Sequence, residues 1–414
     1  MAGESITRGT VLVRVALTLA VALPAIVTRV AGLHPPAVGA MVIFGAGVLA
    51  AAVLLMWAAE TARADMSGAL ALALLALIAV LPEYAVDLYY AYAAGTRPEY
   101  TAYAAANMTG ANRLLVGVGW ALVVLAFALA VRRLSGRGGR HAARASKPDR
   151  RDVQLTPLHR TELGFLALAA VLGFIPALTG EIGWYMSISL IVVYVLYLVQ
   201  IGRRRDEDVE DLAGVPARLV TLPKRKRLIA TWGGFALGAA IVFASAKPFA
   251  NALVEAGASL GIDEFLLVQW LAPLASEAPE LLVAVMFAWR LRDADAIGTL
   301  LSSKVNQWTL LIGTLPLAYR IGGGDWSLPL DSRQTEEVLL TAAQTVLGLS
   351  LLVDLVFRRW EAAVLFVLFA VQFVLPGEDA RLYLSGVYLA IGFSVLIARH
   401  RELGKAMETV VRPR

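Results

Sequence analysis

The stretch LASEAPELLVAV, residues 274–285, places two carboxylates and a proline inside an apolar run. Glu277 and Glu280 are the only formal charges between Phe265 and Trp289. Residues three apart lie on one face of a helix, so these two carboxylates are expected to converge. A charge at the centre of a bilayer costs roughly 3 kcal/mol on insertion scales, so acids retained there indicate a function.

A second Pro-Glu pair occurs earlier in the chain. Glu83 directly follows Pro82, which ends a run of seventeen uncharged residues. Asp87 lies one helical turn further on. Clusters of carboxylate oxygens suit hard cations such as Ca²⁺ and Na⁺, and crowded buried carboxylates also suit protons. Each proline frees the carbonyl one turn earlier, which is a further candidate ligand. For a single Pro-Glu pair, the alternative is a kinked helix whose glutamate bonds to a neighbouring helix.

Polar residues follow each Pro-Glu pair in the next predicted helix. Asn107 lies 24 residues after Glu83, and Lys304 lies 24 residues after Glu280. An alignment with a gap would instead bring Asn112 into register with Lys304, and the sequence leaves both alignments open. Together with the four acids, the predicted cation ligands on these helices are the neutral residues Asn107, Asn112, Ser303, Asn306 and Gln307.

Lys304 is a positive charge among these candidate ligands. A lysine can occupy a cation position permanently, or it can titrate as a proton carrier once burial lowers its pKa. The alternative is a structural ion pair with Glu277 or Glu280. Lys304 is therefore assigned as a charge-compensating or proton-coupling residue.

The composition places these residues in a membrane. Of 414 residues, 58% are hydrophobic and only 17% are charged, and many windows of about 20 residues lack a charge or nearly so. The sequence therefore predicts an all-α polytopic membrane protein of about twelve transmembrane helices. The predicted spans are 10–33, 36–59, 66–95, 98–132, 162–180, 184–202, 228–250, 264–291, 295–320, 336–357, 360–376 and 381–398.

Charge and residue usage narrow the partners. The net charge of +5 comes from basic residues in loops that flank apolar spans, which indicates a membrane topology and no nucleic-acid partner. The chain has no cysteine, and its four histidines fall in predicted loops or tails, so no resident cofactor is expected. The basic segments 133–161 and 203–227 fall on one side, which predicts an integral inner-membrane protein with both termini in the cytoplasm. These segments are topogenic or contact anionic lipid.

An internal repeat divides the chain. The segment from Ala59 to Gly95 and the segment from Val254 to Arg290 each contain two apolar stretches with Pro-Glu in the second. Spans two to six and seven to eleven then form two five-helix repeats, inverted because five is odd, as in many secondary transporters. The predicted segments are an extra helix at 1–35, a first repeat at 36–202, a linker at 203–227, a second repeat at 228–376, and an extra helix with a cytoplasmic tail at 377–414.

These motifs resemble those of the Ca²⁺/cation antiporter superfamily, which includes the sodium/calcium exchangers. That family carries Gly-Thr-Ser-x-Pro-Glu on one helix of each repeat and Gly-Ser-Asn-x-x-Asn on the next. Here the first motif appears as IAVLPE (78–83) and ASEAPE (275–280), and the second as AANMTG (105–110) and SSKVNQ (302–307). The resemblance implies a cation role for Glu83, Glu280 and Ser303. The chain departs from the family at Ala79 and Val80, which lack oxygen ligands, and at Lys304, which replaces an asparagine.

The sequence thus favours a secondary antiporter that exchanges Ca²⁺, Na⁺ or H⁺ by alternating access around Glu83 and Glu280. One alternative is a cation/proton antiporter in which Lys304 replaces a fixed Na⁺. Another, of a different class, is a non-transporting membrane scaffold with a structural buried polar network. An enzyme is disfavoured, because the chain has no His-Glu-x-x-His, no nucleotide-binding loop and no cysteine nucleophile. Oligomeric state is not specified by these features.

Overall fold

A computed structural model describes residues 8–62, 64–65, 81–137, 152–202, 214–374 and 377–411. The described chain is almost entirely helical, as the sequence predicts. The helices are α1 (Arg8–Val30), α2 (Ala37–Ala62), α3 (Leu81–Ala94), α4 (Tyr100–Leu114), α5 (Trp120–Arg137), α6 (Arg160–Leu172), α7 (Ile175–Thr179), α8 (Trp184–Gly202), α9 (Gly214–Val220), α10 (Lys224–Leu260), α11 (Glu264–Trp289), α12 (Asp293–Asn306), α13 (Ile312–Ile321), α14 (Ser332–Leu352), α15 (Arg359–Val374), α16 (Glu378–Ala398) and α17 (His400–Val411).

Seven helical stretches in the described residues are long and apolar enough to cross a membrane. Helix α11 makes an eighth if its two parts, Glu264–Ala278 and Glu280–Trp289, form one span. Helices also form over the predicted spans 295–320, 336–357 and 360–376. Half of the predicted span 66–95, residues 66–80, lies outside the described residues. The number twelve and the inverted repeats therefore stay predictions.

The described chain forms two compact units that alternate along the sequence. The first comprises Met1–Ala93 and Leu198–Pro279, and the second comprises Ala94–Tyr197 and Glu280–Arg414. Each unit thus combines part of the predicted first repeat with part of the second. The repeat boundaries derive from sequence similarity and are not tested by this division.

Helices α2 and α10 form the central contact of the first unit. Small residues allow their backbones to approach closely, as is common between membrane helices. A Cβ atom on Gly238 would lie 2.7 Å from the Cγ atom of Leu55, so only hydrogen fits there. Helix α10 has 37 residues, about 55 Å at 1.5 Å per residue, and exceeds the predicted span 228–250 at both ends.

An ion pair ties the start of α10 to the residues that follow α2. The Arg227 guanidinium donates to both carboxylate oxygens of Asp65, with an Nε–Oδ2 distance of 2.6 Å. This hydrogen bond lowers the pKa of the Asp65 carboxyl. Arg227 also donates to the Val220 carbonyl at 2.9 Å, which joins α9 to the same cluster.

Helix α14 lies in the core of the second unit. It begins with a capping box in which the Asp331 side chain accepts from the Gln334 backbone N–H at 2.8 Å. Nearly all of its residues from Val338 to Leu352 are buried. Helix α16 packs against it, although α16 lies in the segment predicted as an addition at the C-terminal end. That segment therefore packs against the core of this unit.

Two short β-ladders join loops of the second unit. Strand β1 (Val153–Gln154) pairs antiparallel with β4 (Val356–Phe357), and β2 (Glu181–Ile182) pairs antiparallel with β3 (Leu328–Pro329). Two-residue strands have no periodicity that a sequence pattern could reveal, so they were not predicted.

The α2–α10 contact predicts opposite effects of alanine at two glycines of α10. Gly238→Ala should lower the free energy of unfolding by about 1–3 kcal/mol, because the added carbon overlaps Leu55. Gly233→Ala, on the same helix with nothing within 4 Å, should be neutral or stabilising because alanine favours helices. Unfolding of the purified protein in detergent measures both. Equal effects of the two variants would contradict this packing.

Candidate functional site

Three predicted acids lie in the first unit. Glu83 is in the first turn of α3, and Asp87 follows one turn later. Glu277 lies on α11. Their side chains are 3%, 0% and 2% exposed, respectively. The first unit therefore buries three carboxylates, and each carries the large desolvation cost of a charged group unless it is protonated or compensated.

Two tyrosines hold the helix that carries Glu83 and Asp87. The Tyr89 hydroxyl donates to Oδ1 of Asn251 at 2.8 Å, and the Tyr90 hydroxyl donates to the Ala250 carbonyl at 3.1 Å. Both partners lie on α10, just beyond Pro248 inside that helix. Asp87 is thus positioned within one turn of two side-chain anchors, which fixes the rotation of α3 about its own axis.

Glu280 belongs to the second unit. The Ser303 hydroxyl on α12 hydrogen-bonds to its carboxylate. The Oε2 atom of Glu280 is buried and has no hydrogen-bond partner among the residues described. Gln307 donates from Nε2 to the Ser303 hydroxyl at 3.5 Å, so three predicted site residues form a chain of contacts.

Lys304 is fully buried and is held by a neutral amide. Its Nζ donates to Oδ1 of Asn112 at 2.8 Å. The Asn112 Nδ2 group donates to the Met108 carbonyl at 2.8 Å, one turn earlier in α4. Because lysine can only donate, this second bond orients the amide with its oxygen toward the ammonium group. The Lys304 Nζ also lies 4.4 Å from the centroid of the Trp308 ring, a cation–π contact.

The two motif helices have the same sequence of elements. Helix α4 continues into a five-residue π-helix, Leu115–Gly119, and α12 continues into another, Gln307–Leu311. Asn112 and Lys304 each lie three residues before their π-helix. The structure thus favours the gapped alignment, in which Asn112 is the counterpart of Lys304, over the ungapped one with Asn107. A π-helix inside an α-helix often marks a functional site.

The remaining predicted ligands are also buried in the second unit. Asn107 lies on α4 and Asn306 ends α12, with exposed fractions of 1% and 4%. Helix α12 begins with Asp293 and Asp295 in its first turn, where acids favour the helix N-terminus. Within the described ranges, no group of three or more histidine, aspartate or glutamate side chains is arranged to hold a metal ion. A site for a hard cation in this arrangement would need amide, hydroxyl or carbonyl oxygens as well.

A buried ion pair that was not predicted from the sequence lies next to Asn112. Arg113, also buried, pairs with Glu337 on α14. Its Nη1 donates to Oε1 of Gln372 at 2.8 Å. The Arg381 Nε on α16 lies 3.7 Å from Oε1 of Glu337. Arg113 lies in the predicted span 98–132, and Glu337 lies in the predicted span 336–357. A charge inside an apolar span is the sequence feature that could have indicated these residues.

The chain is similar in sequence and in structure to known proteins. A model of the family described as sodium/calcium exchanger protein matches residues 36–201 and 230–376. The crystal structure of an H⁺/Ca²⁺ exchanger, CAX, is 40% identical, with a TM-score of 0.88 and coverage of 97% of this chain and 98% of that one. A comparison with curated proteins gives no match.

Two more distant structures share the fold. YfkE in its native form is 14% identical, with a TM-score of 0.59 over 91% of this chain and 98% of that one. The sodium-calcium exchanger NCX_Mj, soaked with Na⁺ and Sr²⁺, is 15% identical, with a TM-score of 0.51 over 82% of this chain and 97% of that one.

The Arg113–Glu337 pair predicts unequal effects of two neighbouring substitutions. Glu337→Gln leaves the buried Arg113 guanidinium without its counter-charge and should lower the free energy of unfolding by about 3–5 kcal/mol. Glu336→Gln removes a less buried contact with Arg381 at 3.3 Å and should cost about 1 kcal/mol or less. Unfolding of each variant in detergent measures the difference. Similar losses in both would contradict a special role for the buried pair.

Proposed function

Because the chain belongs to the sodium/calcium exchanger family, we propose that it is a secondary active antiporter that moves Ca²⁺ or Na⁺ in exchange for Na⁺ or H⁺. The family is one of transporters, not of enzymes. We propose that the protein lies in the inner membrane, with its basic loops and both termini in the cytoplasm.

The observation that carries the proposal is the set of carboxylates buried inside apolar helices. Glu83, Asp87 and Glu277 are each at most 3% exposed, and Glu280 has a buried oxygen open to a further ligand. A buried carboxylate is stabilised by a bound proton or by a bound cation. Proton and cation exclude each other at the same oxygen, and this competition couples two opposite fluxes.

We assign Glu83 and Glu280 as the principal ion-carrying groups, with alternating access between the two sides of the membrane. Ser303 and Gln307 support Glu280 through the contacts described above. Asp87, Glu277, Asn107, Asn112 and Asn306 are assigned as additional oxygen ligands. The crystal structure at 40% identity is described as an H⁺/Ca²⁺ exchanger, which favours H⁺ and Ca²⁺ as the exchanged pair.

A second candidate function rests on Lys304. Its ammonium group is fully buried, is oriented by the Asn112 amide, and lies over the Trp308 ring. An ammonium group held in this way takes the place of one monovalent cation. The exchanger would then carry fewer Na⁺ ions per cycle, or would couple cation movement to a proton on Lys304.

Substitution of the two Pro-Glu glutamates tests the antiporter in proteoliposomes. Wild-type protein should accumulate radioactive Ca²⁺ when an opposite H⁺ or Na⁺ gradient is imposed separately. Glu83→Gln and Glu280→Gln should each reduce this flux to the level of empty liposomes, because an amide cannot exchange a proton for a cation. Glu255→Gln, an exposed acid on α10, is the matched control and should retain flux.

The outcome separates the proposals. Flux driven only by H⁺ identifies the proton as the counter-ion, and flux driven only by Na⁺ identifies Na⁺. A wild-type protein that moves none of these ions under any gradient is a scaffold, and the antiporter proposal fails. Full flux in Glu280→Gln would remove Glu280 from the ion-carrying role.

Substitution of Lys304 tests its role as an internal cation. In Lys304→Asn the loss of a buried positive charge should create a need for an extra monovalent cation or shift the pH dependence of flux. We expect a shift of about tenfold in the cation concentration that gives half-maximal flux, or of about one unit in the pH dependence. Either shift corresponds to about 1.4 kcal/mol. Lys226→Gln, an exposed lysine, is the control. If Lys304→Asn keeps the wild-type ion and pH dependence while losing only stability, Lys304 is structural.

A further inference from the structure

An apolar cleft of about 500 Å³ opens on the second unit, and its lining residues include none of the candidate site residues. Its walls come from α8 and α13, with Trp326 from the segment before β3. The main lining residues are Trp184, Ile188, Ile191, Pro316, Leu317 and Trp326. The volume is within the range of pockets that hold small molecules, roughly 300–1,000 Å³.

The walls of the cleft are apolar and open outward. Trp184, Ile188, Leu317 and Trp326 are each at least half exposed. Helix α8 is one of the stretches apolar enough to span a membrane. Its outward side chains therefore face hydrocarbon, and a concave apolar surface there has to be filled by an apolar chain. Gly313 deepens the floor, because a Cβ atom at that position would lie 3.0 Å from the Ile191 side chain.

A cation lies beside this apolar cleft. The exposed Arg320 guanidinium is 5.4 Å from the centroid of the Trp326 ring, and Trp326 is part of the lining. Its Nη1 donates to the Gly324 carbonyl at 3.0 Å, which holds the side chain near the cleft. Other N–H groups of the guanidinium remain to bind oxygen atoms, and the planar fork matches phosphate. Tryptophan rings are typical of the level of lipid headgroups.

We propose that this cleft binds a phospholipid, with one acyl chain between α8 and α13 and the phosphate on Arg320. The combination of an outward-opening apolar cleft, a flanking tryptophan and an adjacent arginine matches the two ends of one lipid molecule. A second copy of the chain would need a convex apolar surface to fill the cleft and would leave the guanidinium without an anion. The bound lipid is independent of the transported ion, so the site stands apart from the exchange chemistry.

Native mass spectrometry of the full chain in detergent, titrated with dioleoylphosphatidylglycerol, tests the site. Ile188→Trp and Leu317→Trp fill the cleft from its two walls and should each remove one bound lipid per chain. Val195→Trp, at a half-exposed valine of α8 outside the lining, is the matched control and should bind like wild type. Two filling variants keep the test decisive should one of them fail to fold.

The role of Arg320 is tested by comparing two lipids. Arg320→Gln should bind dioleoylphosphatidylglycerol about tenfold more weakly, because a charge-assisted hydrogen bond is lost. The same variant should bind dioleoylglycerol, which has no phosphate, as wild type does. Arg401→Gln, an exposed arginine of α17, is the control. Equal binding in the filling variants and Val195→Trp overturns the proposal, as does a change in oligomeric state without loss of lipid, which would identify a second copy as the occupant.

Discussion

The energetic cost of charge inside apolar helices is the constraint on which this structure depends. Each buried carboxylate or ammonium group has lost its hydration and must be compensated by the protein, by a proton or by a bound ion. The first unit buries Glu83, Asp87 and Glu277, and the second buries Lys304, Arg113 and Glu337. The fold is in large part an arrangement of helices that makes such burial possible.

The second unit meets this cost in two ways that lie side by side on α4. Arg113 has a fixed counter-charge in Glu337, and Arg381 extends that cluster to α16. The adjacent residue, Asn112, instead offers Lys304 a neutral oxygen oriented by its own helix. The ion pair holds α4 to α14, and the hydrogen bond between Asn112 and Lys304 holds α4 to α12. Adjacent residues of α4 thus bind two different helices.

Apolar runs and Pro-Glu pairs made the helices and the buried acids predictable from sequence. The register of Asn112 with Lys304 was left open, because the segment from Glu83 to Asn112 has five more residues than the segment from Glu280 to Lys304, and counting from the glutamates cannot reveal this. The Arg113–Glu337 pair joins residues far apart in the chain, and a single sequence carries no signal for such a partner. The extension of α10 beyond the predicted span 228–250 was not predicted either, because hydropathy marks the apolar part of a helix and not its ends.

The alternation of the two units along the chain has a consequence for biosynthesis. The first unit consists of Met1–Ala93 and Leu198–Pro279. Its first segment therefore cannot pack against its second segment until the second has been synthesised. At roughly 5–20 residues per second, the ribosome needs about 5–20 s to translate the intervening residues 94–197. During that time α3 lacks the Asn251 and Ala250 partners of its tyrosines, while Glu83 and Asp87 have already been made. Newly inserted α3 therefore depends on water, lipid headgroups or the insertion machinery until α10 arrives.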